Sequence, residues 1–323
     1  MSILAYRSGA TSPACLRSAL EAPYDGEVDV VVREQGSDEV EHAALLAAAD
    51  GAARPVHFER GPNLGFCAGH NRAFARSAGV LFLVLNADAR IEPGFLRAAV
   101  ASFADLGVGA VQGLVLREGS DPQEVDAAGL APRRDRRIVA RGQGEVFDDQ
   151  FPAGEIWGAD GAVALFRRDA LLDVAHSGEE VFDESFFAYK EDVDLAWRLR
   201  RRGWSTRFAP DARAWHHRSA RSTARDDVRS ILLARRGMPD LAHVHGFVNQ
   251  RLTQVKNEQW KTLAPALLPW AGREVATWVL ALARPRSFVR ILVRFAWVGP
   301  RALRSRRWVQ RRTLVNDDRR WFL

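Results

Sequence analysis

The sequence predicts an α/β protein: a mostly parallel sheet flanked by helices, followed by a basic, amphipathic helical extension. Three observations predict it. Short β-branched apolar runs alternate with helical segments over the first hundred residues, which is the pattern of a parallel sheet covered on both faces. Residues able to do chemistry (Tyr6, Glu34 and Asn86–Asp88) follow the ends of those runs, where such sheets bind ligands. Beyond about residue 222 the pattern becomes wholly helical and the charge changes sign.

Taken in order, Ile3–Tyr6 reads as the first strand and Pro13–Glu21 as the helix after it. The valine-rich run Val28–Val32 suits a strand buried on both faces. Glu41–Asp50 is helical, Pro55–Glu59 a strand, Ala68–Ala78 a helix, Leu81–Leu85 a strand and Pro93–Ala104 a helix. Residues 117–153 are polar and loop-rich, and the charge run Arg133–Arg137 reads as a solvated hairpin or flap. Apolar residues return at Ala159–Phe166 and lead into a helix at Asp169–Ala175. The helix Asp192–Arg202 is closed by Gly203, a residue suited to a left-handed cap. Trp204–Ala209 forms a further strand, followed by a Pro turn and the pair His216–His217.

With 323 residues the chain can hold one large α/β domain plus an appendage. Lysine occurs only at Lys190, Lys256 and Lys261, so the basic charge is almost all arginine. Two cysteines, Cys15 and Cys67, build no disulfide framework and fit no zinc spacing, which points to a reducing cytoplasm. No signal peptide pattern precedes the first strand. Residues 260–323 carry 14 Arg and Lys against three acids, whereas the rest carries 32 against 37. The tail, rather than the whole protein, is therefore the part that would meet a polyanion. It also holds six of the ten tryptophans, and Arg with Trp on short apolar helices suits a membrane interface. Its longest apolar stretches, Leu263–Gly272 and Val275–Ala283, are far short of the roughly 20 residues that span a bilayer. Arg286, Arg290 and Arg294 would line one helical face, with Phe288, Ile291, Leu292, Phe295 and Trp297 away from it. A helical appendage packed on the first domain is the alternative. A nucleic-acid role is disfavoured, because no recognised motif is present and the arginines are interleaved with Leu, Val and Trp.

The chemistry gathers in two clusters. In the first, the Gly-punctuated Asn63–Asn71 loop (NLGFCAGHN) feeds a helix and lets backbone N–H groups approach phosphate oxygens. It precedes Asn86-Ala87-Asp88, where Asp88 can ligate a hard divalent ion such as Mg²⁺ or Mn²⁺ and Asn86 offers a neutral carbonyl. In the second, Glu191 and Asp192 sit at a helix mouth, one of them as its cap. A carboxylate kept ionised there by the helix dipole can take a proton from a sugar hydroxyl. An imidazole after the next strand can complete a metal site. His216 is preferred to His217, because strand alternation can turn the latter to the opposite face.

In this order the pieces resemble the family 2 glycosyltransferases, the inverting GT-A enzymes, and especially their rhamnosyltransferase-like branch. The matching motifs are N-x-G-x-x-x-G-x-N at Asn63–Asn71, LNAD at Leu85–Asp88, the block Phe182–Arg198 (FDESFFAYKEDVDLAWR), Gly203-Trp204, and P-x-A-x-x-x-H at Pro210–His216. The resemblance covers about residues 2–222, taken as the GT-A domain, with 223–323 as a membrane-associating extension. It implies Asp192 as general base with Glu191 beside it, and a Mg²⁺ or Mn²⁺ ion held by Asp88 and His216. Tyr6, Glu34, Asn63, Gly69, Asn71, Asn86 and Asp88 would bind the nucleotide-sugar donor, and Trp157 and Asp160 would lie by the acceptor. The implied reaction moves a sugar, from a donor such as dTDP-rhamnose or a UDP-hexose, to a polyprenyl-linked saccharide. It would take place on the cytoplasmic face of the membrane, in bacterial cell-wall or polysaccharide assembly. The chain departs from the family where Arg33-Glu34-Gln35 stands in place of the usual Asp-Asn. The extra methylene of Glu34 shifts its carboxylate by roughly 1.5 Å. That departure admits a catalytically silent, sugar-nucleotide- or lipid-binding relative as the alternative reading.

Overall fold

The computed structural model describes residues 1–217, 239–315 and 319–322. The first half alternates as expected: β1 (Ser2–Ala5), α1 (Thr11–Glu21), β2 (Val30–Glu34), α2 (Glu39–Ala49), β3 (Val56–Arg60), α3 (Gly65–Arg76) and β4 (Leu81–Asn86). Then follow β5 (Ala89–Ile91), α4 (Phe95–Ala101) with a 3₁₀ turn over Ser102–Ala104, β6 (Val108–Arg117), β7 (Val125–Ala127), β8 (Leu130–Pro132) and β9 (Ile138–Ala140). The chain continues with β10 (Gly154–Ile156), β11 (Val163–Arg167), α5 (Arg168–Val174), α6 (Glu191–Arg201) and β12 (Ser205–His216). The C-terminal part is helical: α7 (Asp240–Asn257), the short α8 (Trp260–Leu263), α9 (Leu267–Leu282) and α10 (Pro285–Arg312).

The main sheet runs in the order β10-β12-β6-β11-β4-β1-β2-β3, with β5 and β7 added to β12 and β6. Six of these eight strands point the same way; β10 and β11 oppose them. Every residue of β2 is buried, as its valine run demands, whereas the edge strand β3 is half-exposed and ends in Glu59 and Arg60. Asp38 caps α2 by accepting the Glu41 N–H at 2.8 Å, the reason this helix starts ahead of the predicted Glu41.

Two boundaries and the burial of one hairpin differ from the sequence reading for identifiable reasons. Helix α3 begins at Gly65 rather than Ala68; Gly65 has φ +79° and a Cβ there would lie 2.5 Å from the Phe187 carbonyl, so only glycine fits. Strand β12 does not stop at Ala209. A bulge between Ala209 and Arg213 carries it past Pro210, and β12 then pairs onward to His216. Gly113 makes room for it, since a Cβ there would sit 2.2 Å from the Ala212 oxygen. Arg133–Arg137 does turn a hairpin between β8 and β9, but it is not wholly solvated. Arg136 is buried, ion-paired to Glu258 at 2.5 Å and laid 3.3 Å over the Phe322 ring.

The helical extension is packed into the protein more closely than an interfacial arm. Val244, Phe247, Val248 and Leu252 of α7 and Ile291, Val298 and Ala302 of α10 share one apolar cluster with Cys67, Phe74, Phe182, Leu195 and Leu199. Lys256 of α7 is fully buried between Asp183 (2.7 Å) and Asp194 (2.8 Å). The expected division between Ser222 and Thr223 lies outside the described residues. The arginine stripe of α10 is also not one face: Arg294 turns inward onto the Ser185 and Phe186 carbonyls, and Arg290 pairs with Asp240. Ile291 is buried, and Phe288 and Phe295 pack on Trp278, so these aromatics are not at the surface. Exposed instead are Val289, Leu292, Val293 and Trp297, beside Leu268, Val275, Val279 and Leu282 of α9.

Candidate active site

The carboxyl ends of β1, β2 and β4 open into a cavity of about 770 Å³. Tyr6, Gln35, Asn63, Asn86, Asp88, Phe187 and Tyr189 are among the residues that line it. Register decides the next contact. Pairing of Ala89 with His216 sets Asp88 beside the end of β12, where the His217 N–H donates to the Asp88 carbonyl at 2.8 Å. The His216 imidazole then lies between two carboxylates, with Nε2 3.0 Å from Asp88 Oδ1 and Nδ1 2.7 Å from Asp126 Oδ2. Burial opposes its protonation, but the hydrogen bonds to Asp126 and Asp88 outweigh that and raise the His216 pKa to about 9. His217 also lines the cavity, is more exposed, and sits 3.5 Å from Glu118.

This donor set fits a divalent cation. A carboxylate and an imidazole nitrogen converge, and a further carboxylate holds the other ring nitrogen, the arrangement that orients a ligating histidine. Among the described residues no group of three His, Cys, Asp or Glu forms a cation cage. Asp88 and His216 are the residues that would hold such an ion.

The base candidates do not line this cavity; they follow its wall residue Tyr189 at the start of α6. Helix α6 starts from Lys190, which occupies the N-cap position, so neither Glu191 nor Asp192 is the N-cap residue that the sequence suggested. Asp192 still serves the helix mouth by accepting the Val193 N–H at 2.7 Å. Gly161 stands between Asp192 and Phe66 of the cavity wall. A Cβ there would come within 3.3 Å of the Asp192 Cβ, so glycine keeps the approach open. Glu191 is buried, with Oε2 lacking a hydrogen-bond partner; burial, then the charge of Asp192, raises its pKa to about 8. Glu191 is thus buried and holds its proton near neutral pH, while Asp192 beside it is partly exposed.

Several expected donor or acceptor residues hold structure instead. Glu34 is buried against His42 at 2.8 Å, and its neighbour Gln35 faces the cavity. Gln35 also clamps the following loop, accepting from the Leu64 N–H at 3.0 Å and donating to the Gly65 carbonyl at 3.2 Å. At Gly69 a Cβ would meet Leu4 at 2.8 Å, so this glycine lets α3 close on β1. Asn71 is buried and brackets Phe182, donating to its carbonyl at 2.8 Å and accepting its N–H at 2.9 Å. The phosphate cradle expected at the mouth of α3 is already engaged, because the Gly65 N–H goes to Asn63 Oδ1 and the Cys67 N–H to the Phe187 carbonyl. Trp157 is sealed in a cluster with Trp197 and Phe322, beyond reach of an acceptor. Asp160 lies beside Gly161, accepting the Ala162 N–H at 3.0 Å.

The sequence reading missed Asp126, hidden in a segment taken as polar loop; its flanking Val125 and Ala127 were the available sign of burial. It also missed Asn249. Phe187, Tyr189 and Lys190 all have positive φ, at about 1–3 kcal/mol each for non-glycine residues. Asn249 of α7 donates to the Phe186, Ala188 and Tyr189 carbonyls at 3.0, 2.9 and 2.8 Å, and so braces this loop from behind.

The fold has counterparts among solved structures. A mannosyltransferase from Pyrobaculum calidifontis, solved with GDP-Man and Mn²⁺, superposes with a TM-score of 0.53 over 93% of this chain and 74% of its own, at 16% identity. An uncharacterized protein of Mycobacterium tuberculosis (strain CDC 1551 / Oshkosh) is 28% identical over 239 residues, 73% of this chain and 70% of that one. The N-acetylglucosaminyl-diphospho-decaprenol L-rhamnosyltransferase of the same strain is 44% identical over 66 residues, a span that is only 20% of either chain. The sequence profile of glycosyl transferase family group 2 matches residues 81–300, about two thirds of the chain, running through the expected domain boundary. This protein, with its GT-A arrangement of sheet and helices, therefore belongs to glycosyl transferase family group 2.

Proposed function

We propose that the protein is an inverting glycosyltransferase that moves a sugar from a nucleotide donor to a polyprenyl-linked saccharide. The observation that carries this reading is the cavity at the strand ends, lined by Tyr6, Asn86 and Asp88, with His216 bonded to Asp88 and with Phe66 of the wall next to Gly161, which adjoins Asp192. Asp192 takes the proton of the acceptor hydroxyl as that oxygen attacks the anomeric carbon, and the nucleoside diphosphate leaves on the opposite side. Asp88 and His216 would hold a divalent ion, whose charge would stabilise a departing diphosphate. Tyr6, Asn63 and Asn86 line the donor space. The partial likeness to a rhamnosyltransferase of a diphospho-decaprenol acceptor supports a lipid-linked acceptor and a deoxyhexose or hexose donor.

The test is a panel of nucleotide sugars titrated with Mn²⁺ and with EDTA. The expected result is metal-dependent binding of one donor, lost in Asp88→Ala and weakened in His216→Ala. Equal affinity in EDTA would sink the metal assignment. The sealed position of Glu34 favours one second reading, a relative that binds donor without turning it over, and hydrolysis of the bound donor separates the two.

Membrane contact belongs to the same proposal. No described helix is long and apolar enough to cross a bilayer. The exposed stripes of α9 and α10, with Arg286 and Arg290 nearby, suit the headgroup layer. Because α10 also packs into the core, point changes test this better than truncation. Val293→Asp with Trp297→Asp should abolish sedimentation with anionic vesicles while leaving the melting temperature within a few degrees. Unchanged sedimentation would return the tail to a purely structural role.

A further inference from the structure

Behind the loop that leads to Asp192 lies a second cavity, of about 290 Å³, between the β8–β9 hairpin, α7 and α9. Arg137, Lys190, His243, Arg251 and Arg273 line it, and among the described residues no carboxylate does. Glu274 is shared by Arg251 (2.8 Å) and Arg273, while Arg137 pairs with Asp135 at 2.7 Å. Arg251 lies 3.6 Å over the Phe247 ring, which fixes its guanidinium in the wall. Arg273 is nearly buried, and its Nε, aimed inside the protein, has no hydrogen-bond partner. Burial lowers the pKa of both Arg273 and Lys190, so an anion entering here would relieve the cost of holding these charges out of water.

Tyr189 lines both this cavity and the donor cavity, so the two spaces adjoin at a residue just ahead of the base helix. Arg273 and Thr277, one turn apart on α9, face the cavity, whereas the exposed Val275 and Val279 lie on the opposite side of that helix. An occupant would thus have a charged group at the arginines and a reacting end toward Tyr189.

We propose that this cavity binds the diphosphate of the lipid-linked acceptor, with Arg137, Arg251 and Arg273 as its cationic wall. The inference rests on the glycosyl-transfer reading above and adds the place where the acceptor is held. It puts the acceptor sugar next to Tyr189, ahead of the helix that carries Asp192.

The experiment is calorimetric titration of full-length protein with geranyl diphosphate and, separately, with inorganic pyrophosphate. Geranyl diphosphate should bind wild type and, with little change, Asp88→Ala, in which the donor diphosphate site is disabled. Arg273→Gln and Arg137→Gln should each weaken it by about tenfold or more, the usual loss for a charge-assisted contact. Arg273→Lys should recover part of that loss, showing that the fold is not what failed. Loss of binding in Asp88→Ala, or indifference to both arginine changes, overturns the site. Equal affinity for pyrophosphate and geranyl diphosphate overturns the lipid-linked occupant in favour of a free phosphate anion. Donor hydrolysis is measured alongside. Hydrolysis without geranyl diphosphate binding defeats this inference alone, whereas binding at Arg273 without any donor turnover defeats the transferase reading and leaves the site standing.

Discussion

Asp192→Asn should lower transferase turnover by about 10²–10⁴ while leaving donor affinity nearly unchanged, because a general base is lost and the diphosphate site is not. The neighbouring change is the control that gives this expectation force. Glu191 is buried, and its raised pKa keeps it protonated near neutral pH. Glu191→Gln mimics that state and should keep turnover within a few-fold of wild type. A reversal, with Glu191→Gln inactive and Asp192→Asn active, would move the base one residue along the helix. The structural argument favours Asp192 on access: it is half-exposed, beside a glycine that leaves the approach open, whereas the Glu191 carboxyl is enclosed. The pH dependence of Glu191 has a definite sign. Its folded pKa is raised above the ordinary 4.5, so the stability it contributes is full below that value and falls as pH rises toward 8. Glu191→Gln should flatten the stability profile across that window.

Lys256→Met should cost about 3–5 kcal/mol of stability at neutral pH, the loss expected when one partner of a buried charge cluster is removed. Its Nζ is fully buried, 2.7 Å from Asp183, 2.8 Å from Asp194 and 3.2 Å from His176. Arg198 also reaches Asp194 at 2.9 Å, but it cannot replace a cation placed between two carboxylates. Burial alone would raise both Asp pKa values; Lys256 outweighs it and holds them below the ordinary 3.8. A lowered carboxylate pKa gives stability that is present above 3.8 and lost as pH falls through the folded value. Without Lys256 the two acids become easier to protonate, so the gap between variant and wild type should narrow as pH approaches 4. Chemical denaturation at pH 7 and pH 4 measures both. A loss below about 1 kcal/mol at pH 7 would mean that α7 is held by apolar packing alone.

That cluster also explains where the sequence reading of the extension stopped short. Composition placed Arg and Trp in the tail correctly, and periodicity made it helical. Neither could show that Lys256, Asn249 and Arg294 reach back to Asp183, Asp194 and the loop at residues 185–189, since these partners lie 60–109 residues away in the chain. The α10 aromatics show the same limit. A helical wheel separates two faces, but which face is covered depends on what arrives to cover it, here Trp278 and Phe247.

The sequence by itself determined the alternating architecture, the strand-end positions of Tyr6, Asn86 and Asp88, and the helix that presents Glu191 and Asp192. These are local matters: periods of two and 3.6, turn residues, and carboxylates at a helix mouth. Only the tertiary structure decided that Asp126 completes the Asp88–His216 pair, that Gln35 rather than Glu34 faces the cavity, and that Trp157 and Asn71 belong to the core. Each of those depends on strand register and on a one-residue choice of side within a strand or loop. A slip of one residue exchanges the two faces, and only the packing of distant segments fixes which is correct.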